Sequence, residues 1–447
     1  MFKTLVNAFK IKDIRNRIFY TFFMLIVVRL GCQIPVPGTD ASVVAETLSK
    51  LGSGGAFGFF DALTGGSFSE VSIFALNITP YITSSIIVQL LTIAIPKLEE
   101  MQRDGEDGRK KLAEITRYLT VVLAIIEATA MSIGFGNQGL FGDLTGMEKT
   151  TAIITAIVAM TAGSTFLMWM GEQITEKGVG NGISIILLIN IIARIPSDFA
   201  TLFNKFVVIT DSNGRSVGGA VVGAICIVLA VLAVVAFVVL LQDGERRINV
   251  QYAKKMAGRK MIGGQSSYIP LKVNTAGVIP IIFASSLMQF PVVISQFFNA
   301  DGSTVWGKIV RGLSSNNWCD PDNPVYSIGF LVYILLVIGF AYFYTSITFN
   351  PMEVSNNIKK QGGFVPGIRP GKPTTDYFTK ILNYIIFIGA CGLIIVAAVP
   401  IVLSGVFDAD VSFGGTSLII IVGVVLETMK KIESMMLVRN YKGFLSE

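Results

Sequence analysis

Apolar blocks of about 20 residues recur along the whole chain, and they constrain the fold more than any other feature of the sequence. An α-helix needs roughly 20 mostly apolar residues to cross about 30 Å of hydrocarbon. The chain of 447 residues is 52% hydrophobic and only 15% charged, whereas about a quarter of the residues are charged in an average soluble domain. The sequence therefore predicts an all-α polytopic membrane protein and excludes a soluble multidomain protein.

Ten of the apolar blocks are predicted to cross the membrane, and an even number places both termini on one side. Of the 36 lysine and arginine residues, 28 fall on the side of the termini, 7 on the other side and Arg29 within a span, with span ends counted in the adjoining loops. The positive-inside rule then predicts that both termini are cytoplasmic. The predicted transmembrane helices cover residues 18–34, 76–95, 117–135, 150–170, 182–196, 217–241, 275–296, 326–348, 379–403 and 412–430.

Ten spans divide into two halves of five, residues 18–196 and 217–430, joined by an external hinge loop at 197–216. Because each half has an odd number of spans, the two halves are expected in opposite orientations, as in transport proteins built from inverted repeats. The remaining segments are predicted to be an amphipathic cytoplasmic N-terminus, residues 1–17, and a cytoplasmic tail, residues 431–447.

Several kinds of active site are excluded by residue content. The chain has no histidine, the commonest general base and a frequent metal ligand, and its four cysteines lack the paired spacing of a zinc site. The glycine-rich stretches at 178–182 and 367–373 lack the residues of a phosphate-binding loop. We therefore expect a protein that is not an enzyme and has no catalytic residue, cofactor or metal ion.

Residues 51–75 differ from the spans around them. Two glycine clusters bracket a short apolar piece, Phe57–Leu63, which Asp61 interrupts and which is too short to cross a membrane. The pattern fits an ordinary loop. It also fits a half-helix that enters the bundle from outside, which is tolerated only where protein or water surrounds it.

The second and seventh predicted spans combine kinks with polar side chains. Pro80 lies on the second span, and Pro280 and Pro291 lie on the seventh. Small polar residues commonly join packed membrane helices, and the alternative is a pair of helices that can part. The polar residues are Thr83, Ser84, Ser85 and Gln89 on the second span, with Asn274, Ser285 and Ser286 on the seventh.

Two charges lie at membrane depth, where they are costly and usually face a cavity or a partner. Arg29 is near the outer end of the first span, and we expect a structural role for it. Glu127 is deeper in the third span and is expected to line a polar cavity. Two inverted halves would also fit an ion-coupled secondary transporter. Such a transporter needs an ion site at the membrane midplane, and apart from Arg29 and Glu127 the spans offer no buried charge for that site.

The predicted cytoplasmic loops 242–272 and 349–377 are long and basic. Such loops set topology and attract anionic lipid in many membrane proteins. Loops of about 30 residues are well beyond the usual helix connection, however. Their length therefore also predicts a docking surface for another macromolecule.

Seven ordered strings across the chain resemble the SecY family, the protein-conducting subunits of the bacterial Sec translocon. The strings are IPVPG (34–38), NITPYITSSIIVQLL (77–91), EDGRKK (106–111), LMWMGEQITEKGVGNGISI (167–185), IPLKVNTAGVIPIIFASS (269–286), FVPGIRPGKPT (364–374) and FGGTSLII (413–420). The resemblance implies a clamshell of two inverted five-helix halves around a pore. It further implies passage of unfolded secretory polypeptides across the plasma membrane, and lateral release of transmembrane segments into lipid.

The resemblance also implies three sets of pore residues. It places a plug at about 57–66, a ring of aliphatic side chains at the constriction, and a lateral gate between the second and seventh spans. The gate takes in Glu127 and the polar residues of those two spans. The implied plug residues are Phe57, Phe59, Phe60, Asp61 and Leu63, and the implied ring is Ile78, Ile82, Ile183, Leu187, Ile282 and Ile420.

Partners are implied on the cytoplasmic side. The family docks the SecA motor and the ribosome, through its rRNA, on the two long loops, which here carry Arg259, Lys260 and Arg369. Lysine and arginine suit rRNA phosphates by charge. The other implied partners are the SecE and SecG subunits, signal peptides, nascent polypeptides and membrane lipid.

Overall fold

Helices dominate the computed structural model, and each of the ten predicted spans overlaps one of them. The structure describes residues 2–443 apart from 45–60, 62–63, 137–138, 143, 145, 207–216, 253–254, 258–259, 263–265, 296–304, 314–317, 319–323 and 408–414.

The chain up to residue 243 contains eight helices among its described residues. Two of them are short: α1 precedes the first span, and α4 lies between the second and third spans. The helices are α1 (Phe2–Lys10), α2 (Lys12–Cys32), α3 (Thr79–Ala94), α4 (Pro96–Arg103), α5 (Glu106–Gly136), α6 (Met147–Lys177), α7 (Gly182–Phe206) and α8 (Val217–Asp243).

The rest of the chain adds short strands to the helices. The strands fall in the two long loops that were predicted to be cytoplasmic. The elements are β1 (Glu245–Tyr252), β2 (Lys255–Ala257), β3 (Lys260–Ile262), β4 (Ser266–Lys272), α9 (Ile279–Ser295), α10 (Val305–Leu313), a 3₁₀ helix (Pro324–Ser327), α11 (Ile328–Thr348), α12 (Pro351–Lys360), β5 (Gly363–Phe364), α13 (Lys372–Phe407) and α14 (Gly415–Gly443).

Membrane-spanning helices are present by length and composition. Among the described residues, four helices pass as candidate spans, or five if the pair α3–α4 counts as one. That pair is bent by 108°, and the break falls where Ile95 is extended and Pro96 begins the new helix. Helix α7 continues through Pro196, beyond the predicted end of its span. The count of ten spans stays a prediction.

Large apolar side chains point outward from the helices. On α2, Phe19, Phe23, Ile26 and Leu30 recur at helical spacing and are each about 60% exposed. In water, a continuous stripe of this kind would have to be covered. In a membrane it faces hydrocarbon, which agrees with the predicted first span.

The chain divides into two compact units. The first consists of Met1–Ala224, Ser286–Gly329 and Pro400–Glu447. One of its cores packs Val36 and Leu76 against α5 and α6, with Met131 and Met160 fully or almost fully buried. A second core joins α1, α2 and α14.

The second unit consists of Ile225–Ser285 and Phe330–Val399. Its sheet has the strand order β4-β1-β5, with β1 antiparallel to both neighbours. Because β1 and β4 come from the loop 242–272 and β5 from the loop 349–377, the sheet joins the two basic loops. Beneath it, Ile248, Leu271 and Phe378 form a buried core with α13.

Candidate functional site

A segment made mainly of turns, with Asp61 and Thr64 helical, lies between α2 and α3 and is largely buried inside the first unit. We call its described residues, Asp61 and Thr64–Asn77, the turn segment. Two backbone hydrogen bonds join it to the chain after α2: Val36 N donates to Val71 O and Ile73 N donates to Ile34 O, both at 2.9 Å. The turn segment is therefore packed within the bundle and is not a surface loop. Four residues of the predicted plug, Phe57, Phe59, Phe60 and Leu63, lie outside the described residues.

An ion pair holds the turn segment to α7. The carboxylate of Asp61 pairs with the guanidinium of Arg194, and the side chains are 3% and 23% exposed. The backbone N–H of Ser69 donates a second hydrogen bond to Asp61, at 2.9 Å. A buried charge is tolerated when it is paired and hydrogen-bonded, and removing one partner typically costs about 3–5 kcal/mol.

A second polar contact lies beside this ion pair. Arg29 of α2 donates to the carbonyl oxygen of Gly65 at 3.5 Å and to Oδ1 of Asn190 at 3.4 Å. Gly65 has φ +68°, and an added Cβ would lie 2.7 Å from the Asn190 carbonyl oxygen and 2.8 Å from the Arg29 guanidinium. The close approach therefore requires glycine at this position.

Asn77 ends the turn segment and fixes it to two helices. Its side-chain oxygen accepts from Asn190 Nδ2 at 3.2 Å, and its carbonyl oxygen accepts from Ser164 Oγ of α6 at 2.9 Å. Both amide side chains are buried. Asn190 thus bonds to both Arg29 and Asn77, which links α2, the turn segment and α7.

Five of the six predicted ring residues belong to the first unit, on or beside α3, α7 and α14. Ile78 and Ile420 are almost fully buried, at 0% and 2% exposure, whereas Ile82 and Ile183 are half-buried. Ile282 belongs to the second unit. The remaining member, Leu187, is buried on α7.

The predicted gate residues of α3 point in different directions. Ser84 is fully buried and its hydroxyl lies 2.6 Å from that of Thr120 on α5, so it packs as an ordinary helix contact. Thr83 and Ser85 are half-buried and Gln89 is exposed. The role of these residues in a gate stays a prediction.

Two of the predicted gate residues contain a buried polar atom, although Glu127 as a whole is only half-buried and Asn274 is 5% exposed. Glu127 on α5 and Asn274 before α9 each have a side-chain atom, Oε2 and Nδ2, with no hydrogen-bond partner in the described part of the chain. Such atoms are costly in a packed core. Ser285 and Ser286 on α9 are half-buried, and Ser285 forms a side-chain hydrogen bond with Tyr333 in the same unit.

The second unit carries the basic residues that were predicted to dock partners. Arg369 is exposed in the turn after β5, and its carbonyl oxygen accepts from Thr374 Oγ1 at 2.8 Å. Among the described residues its guanidinium has no ion pair, so it is available to a partner. Arg259 lies outside the described residues, and Lys260 begins β3 of the β2–β3 hairpin.

By contrast, Arg247 on β1 is already engaged. It donates to Glu245 at 2.6 Å and lies over the ring of Tyr268, 5.0 Å from its centroid. The hydrogen bond to Glu245 raises the pKa of Arg247 above its ordinary value. Basic residues on one surface thus differ in how free they are to bind a partner.

The whole length of the chain matches proteins of one family. The sequence model of SecY matches residues 72–429. The chain belongs to the SecY family. It is 43% identical over 448 residues to the protein translocase subunit SecY of Halalkalibacterium halodurans, and 43% identical over 451 residues to that of Bacillus subtilis. Both alignments cover 100% of this chain and 100% of the relative.

Solved structures confirm the predicted fold class. The structure of a protein conducting channel matches with a TM-score of 0.61 at 17% identity, covering 94% of this chain and 92% of that chain. Canine Sec61 in a ribosome-channel complex from the endoplasmic reticulum matches with a TM-score of 0.58 at 17% identity, with the same coverage. Membership of the SecY family favours a channel over the secondary transporter.

Arg194 is the residue that the sequence analysis missed. It falls inside the predicted span 182–196, but it was counted with the external loop because it is close to the span end. A charge within an apolar block was the available signal. Among the described residues there is no group of three or more Cys, Asp or Glu side chains that could hold a metal ion.

Proposed function

We propose that this chain is the protein-conducting subunit of a bacterial protein translocase, and that it lies in the plasma membrane with both termini in the cytoplasm. It passes unfolded secretory polypeptides outward and releases transmembrane segments sideways into lipid. The observation that carries the proposal is the 43% identity to SecY subunits along the full length of the chain. The excess of lysine and arginine on one side supports the orientation.

The turn segment supports a channel that is closed at rest. A solved structure of a SecY protein matches this chain with a TM-score of 0.60. In that SecY protein, the plug domain stabilises the closed state of the translocation channel and maintains a membrane seal. In this chain, most residues of the turn segment are buried, and its backbone is hydrogen-bonded to the chain after α2. We assign the plug to residues 57–66, including Phe57, Phe59, Phe60 and Leu63.

The proposed ring closes the resting pore to water and ions and widens around a passing polypeptide. We propose that Ile78, Ile82, Ile183, Leu187, Ile282 and Ile420 form a narrow collar. Branched aliphatic side chains make no specific hydrogen bonds, so a collar of them excludes water and ions yet adapts to a passing extended chain.

Lateral release needs two helices that separate. We propose that α3 and α9 form this gate, with Thr83, Ser85 and Gln89 on one side and Asn274, Ser285 and Ser286 on the other. Ser84, whose hydroxyl contacts that of Thr120 on α5, and Glu127 of α5 complete the proposed gate. Within the described part of the chain, Glu127 Oε2 and Asn274 Nδ2 have no hydrogen-bond partner. This supports the proposal, because polar groups that lack partners at rest gain them when the gate hydrates.

Docking on the cytoplasmic side supplies the driving force, since the chain has no nucleotide-binding loop of its own. We propose that SecA and the ribosome dock on the two basic loops through Arg259, Lys260 and Arg369. The guanidinium of Arg369 has no ion pair among the residues that the structure describes, and it lies in a turn between Pro366 and Pro370. Such a position suits a carboxylate or a phosphate of fixed position. The SecE and SecG subunits complete the complex, and signal peptides and nascent polypeptides are its substrates.

Co-purification tests the proposed class. The tagged chain, extracted from its own membrane in mild detergent, should carry two small partners with one or two spans each, as SecE and SecG are expected to have. A chain that purifies alone and catalyses ion-driven uptake of a small solute in vesicles would contradict the proposal.

A further inference from the structure

We propose that the ion pair between the buried carboxylate of Asp61 and the half-buried guanidinium of Arg194 is a charge latch that holds the turn segment in the position that closes the resting channel. Arg194 is then a positioning residue, which acts on the turn segment through Asp61. The inference rests on the proposed function, because a latch has a role only in a chain that opens.

The ion pair favours one position of the turn segment strongly. The Asp61 side chain is 3% exposed, so its carboxylate cannot exchange the guanidinium for water while the segment stays in place. The backbone N–H of Ser69 also donates a hydrogen bond to this carboxylate, at 2.9 Å. Moving the turn segment away separates two charges, which is tolerated only when water enters the space between them. The turn segment therefore leaves the closed position only when water enters the interior of the bundle.

The neighbouring contacts position the turn segment but carry less charge. Arg29 reaches Gly65 and Asn190 at 3.5 Å and 3.4 Å, on neutral oxygens. Glu70, the other carboxylate of the turn segment, is exposed. Among the described residues of the turn segment, Asp61 is the buried carboxylate, and Arg194 is the cation that pairs with it, so the latch is assigned to these two residues.

A static brace is the competing explanation. Under both explanations, breaking the ion pair lowers the stability of the folded protein. Only a latch also changes how often the folded channel opens. Three variants separate them: R194Q and D61N leave one charge without its partner, and the double variant leaves none. Arg117→Gln is the matched control, since it breaks the more exposed Arg117–Glu172 pair, 2.8 Å apart, between α5 and α6 of the same unit.

The first measurement is the resting conductance of the purified complex in planar bilayers. We expect R194Q and D61N each to raise it at least about tenfold, which corresponds to about 1.4 kcal/mol of lost preference for the closed position. The double variant should lie closer to the parent than either single variant, because it buries no unpaired charge. Arg194→Lys keeps the charge and should stay closed, and so should Arg117→Gln.

The second measurement does not depend on conduction. Ser67 is 1% exposed, so Ser67→Cys on a background without the four native cysteines should react slowly with a maleimide. Adding R194Q should raise that rate by about the same factor as the conductance. If R194Q does not accumulate, D61N carries the same test.

The two proposals fail separately. Well-folded R194Q and D61N proteins that are as ion-tight and as unreactive at Ser67→Cys as the parent would overturn the latch. A parent complex that translocates no polypeptide, while R194Q still exposes Ser67→Cys, would overturn the proposed function and leave the latch standing.

Discussion

The half-buried members of the aliphatic ring give the sharpest test of the seal. Ile82 and Ile183 are half-buried, whereas Ile78 and Ile420 are 0% and 2% exposed. Shortening a fully buried isoleucine costs about 2–5 kcal/mol, and an unsatisfied hydroxyl adds about 1–3 kcal/mol. At a half-buried position facing an aqueous funnel, the first cost is roughly halved and water satisfies the hydroxyl. We therefore expect Ile82→Ser to cost about 1–2 kcal/mol.

Ile183 has an additional contact. A Cβ added at Gly171 of α6 would lie 2.4 Å from its Cδ1 atom, so part of the side chain packs on α6 and Ile183→Ser opens a gap there. Its cost should exceed that of Ile82→Ser by about 1 kcal/mol. The double variant should still fold, since helical membrane proteins tolerate polar groups that line water.

The assay is ion conductance of the reconstituted double variant at rest, with thermal unfolding measured in parallel. We expect a clear leak from a folded protein, because two hydroxyls wet a collar that aliphatic groups keep dry. Ile186→Ser is the control: Ile186 is 0% exposed on α7 and outside the ring, so it should destabilise the protein without a leak. A folded double variant as tight as the parent would refute the assignment of the ring.

Three further predictions concern topology, docking and the gate. A reporter fused after Gly371 should be cytoplasmic and one fused after Gly302 external, and reporters on the same side would break the ten-span prediction. Arg369→Glu should change stability by no more than about 0.5 kcal/mol because the side chain is exposed, yet sharply reduce SecA binding and export; unchanged SecA affinity would remove Arg369 from the docking surface. Cysteines at Ser85 and Ser286 should be joined by a short crosslinker that blocks export, and full export after efficient crosslinking would mean a static interface.

Hydropathy alone predicted the helices of this chain well. Each apolar block coincides with a helix because a chain in hydrocarbon must satisfy its backbone hydrogen bonds internally. The sharp end of α3 was also readable, since Pro96 removes a backbone donor and restricts Ile95 to an extended conformation. The limits of α7 were not, because Pro196 is accommodated inside the helix.

Tertiary contacts were out of reach of the sequence. Asp61 and Arg194 are far apart in the chain, and nothing in the local pattern of either residue names the other as its partner. The sheet β4-β1-β5 likewise joins loops from two separate parts of the sequence. The long basic loops predicted a docking surface, but only the pairing of Gln251 with Phe364 shows that the two loops form one surface.

Burial also separated residues that share one motif. Ser84 and Ser85 are adjacent and chemically alike. Ser84 is buried and hydrogen-bonded to Thr120, whereas Ser85 is half-buried. A helix turns by about 100° per residue, so neighbours face different surroundings. The sequence therefore located the polar part of α3 but could not tell which hydroxyls are structural.

Translocation of an unfolded polypeptide by the purified complex tests the central claim most directly. Proteoliposomes would contain this chain with its SecE and SecG partners, SecA and ATP would be added outside, and a secretory precursor with a signal peptide would be the substrate. We expect the precursor to become protected from added protease, with protection lost on detergent treatment and reduced in Arg369→Glu vesicles. Complete digestion of the precursor by vesicles that hold an intact, correctly oriented complex would contradict the assignment of this chain as a protein-conducting channel.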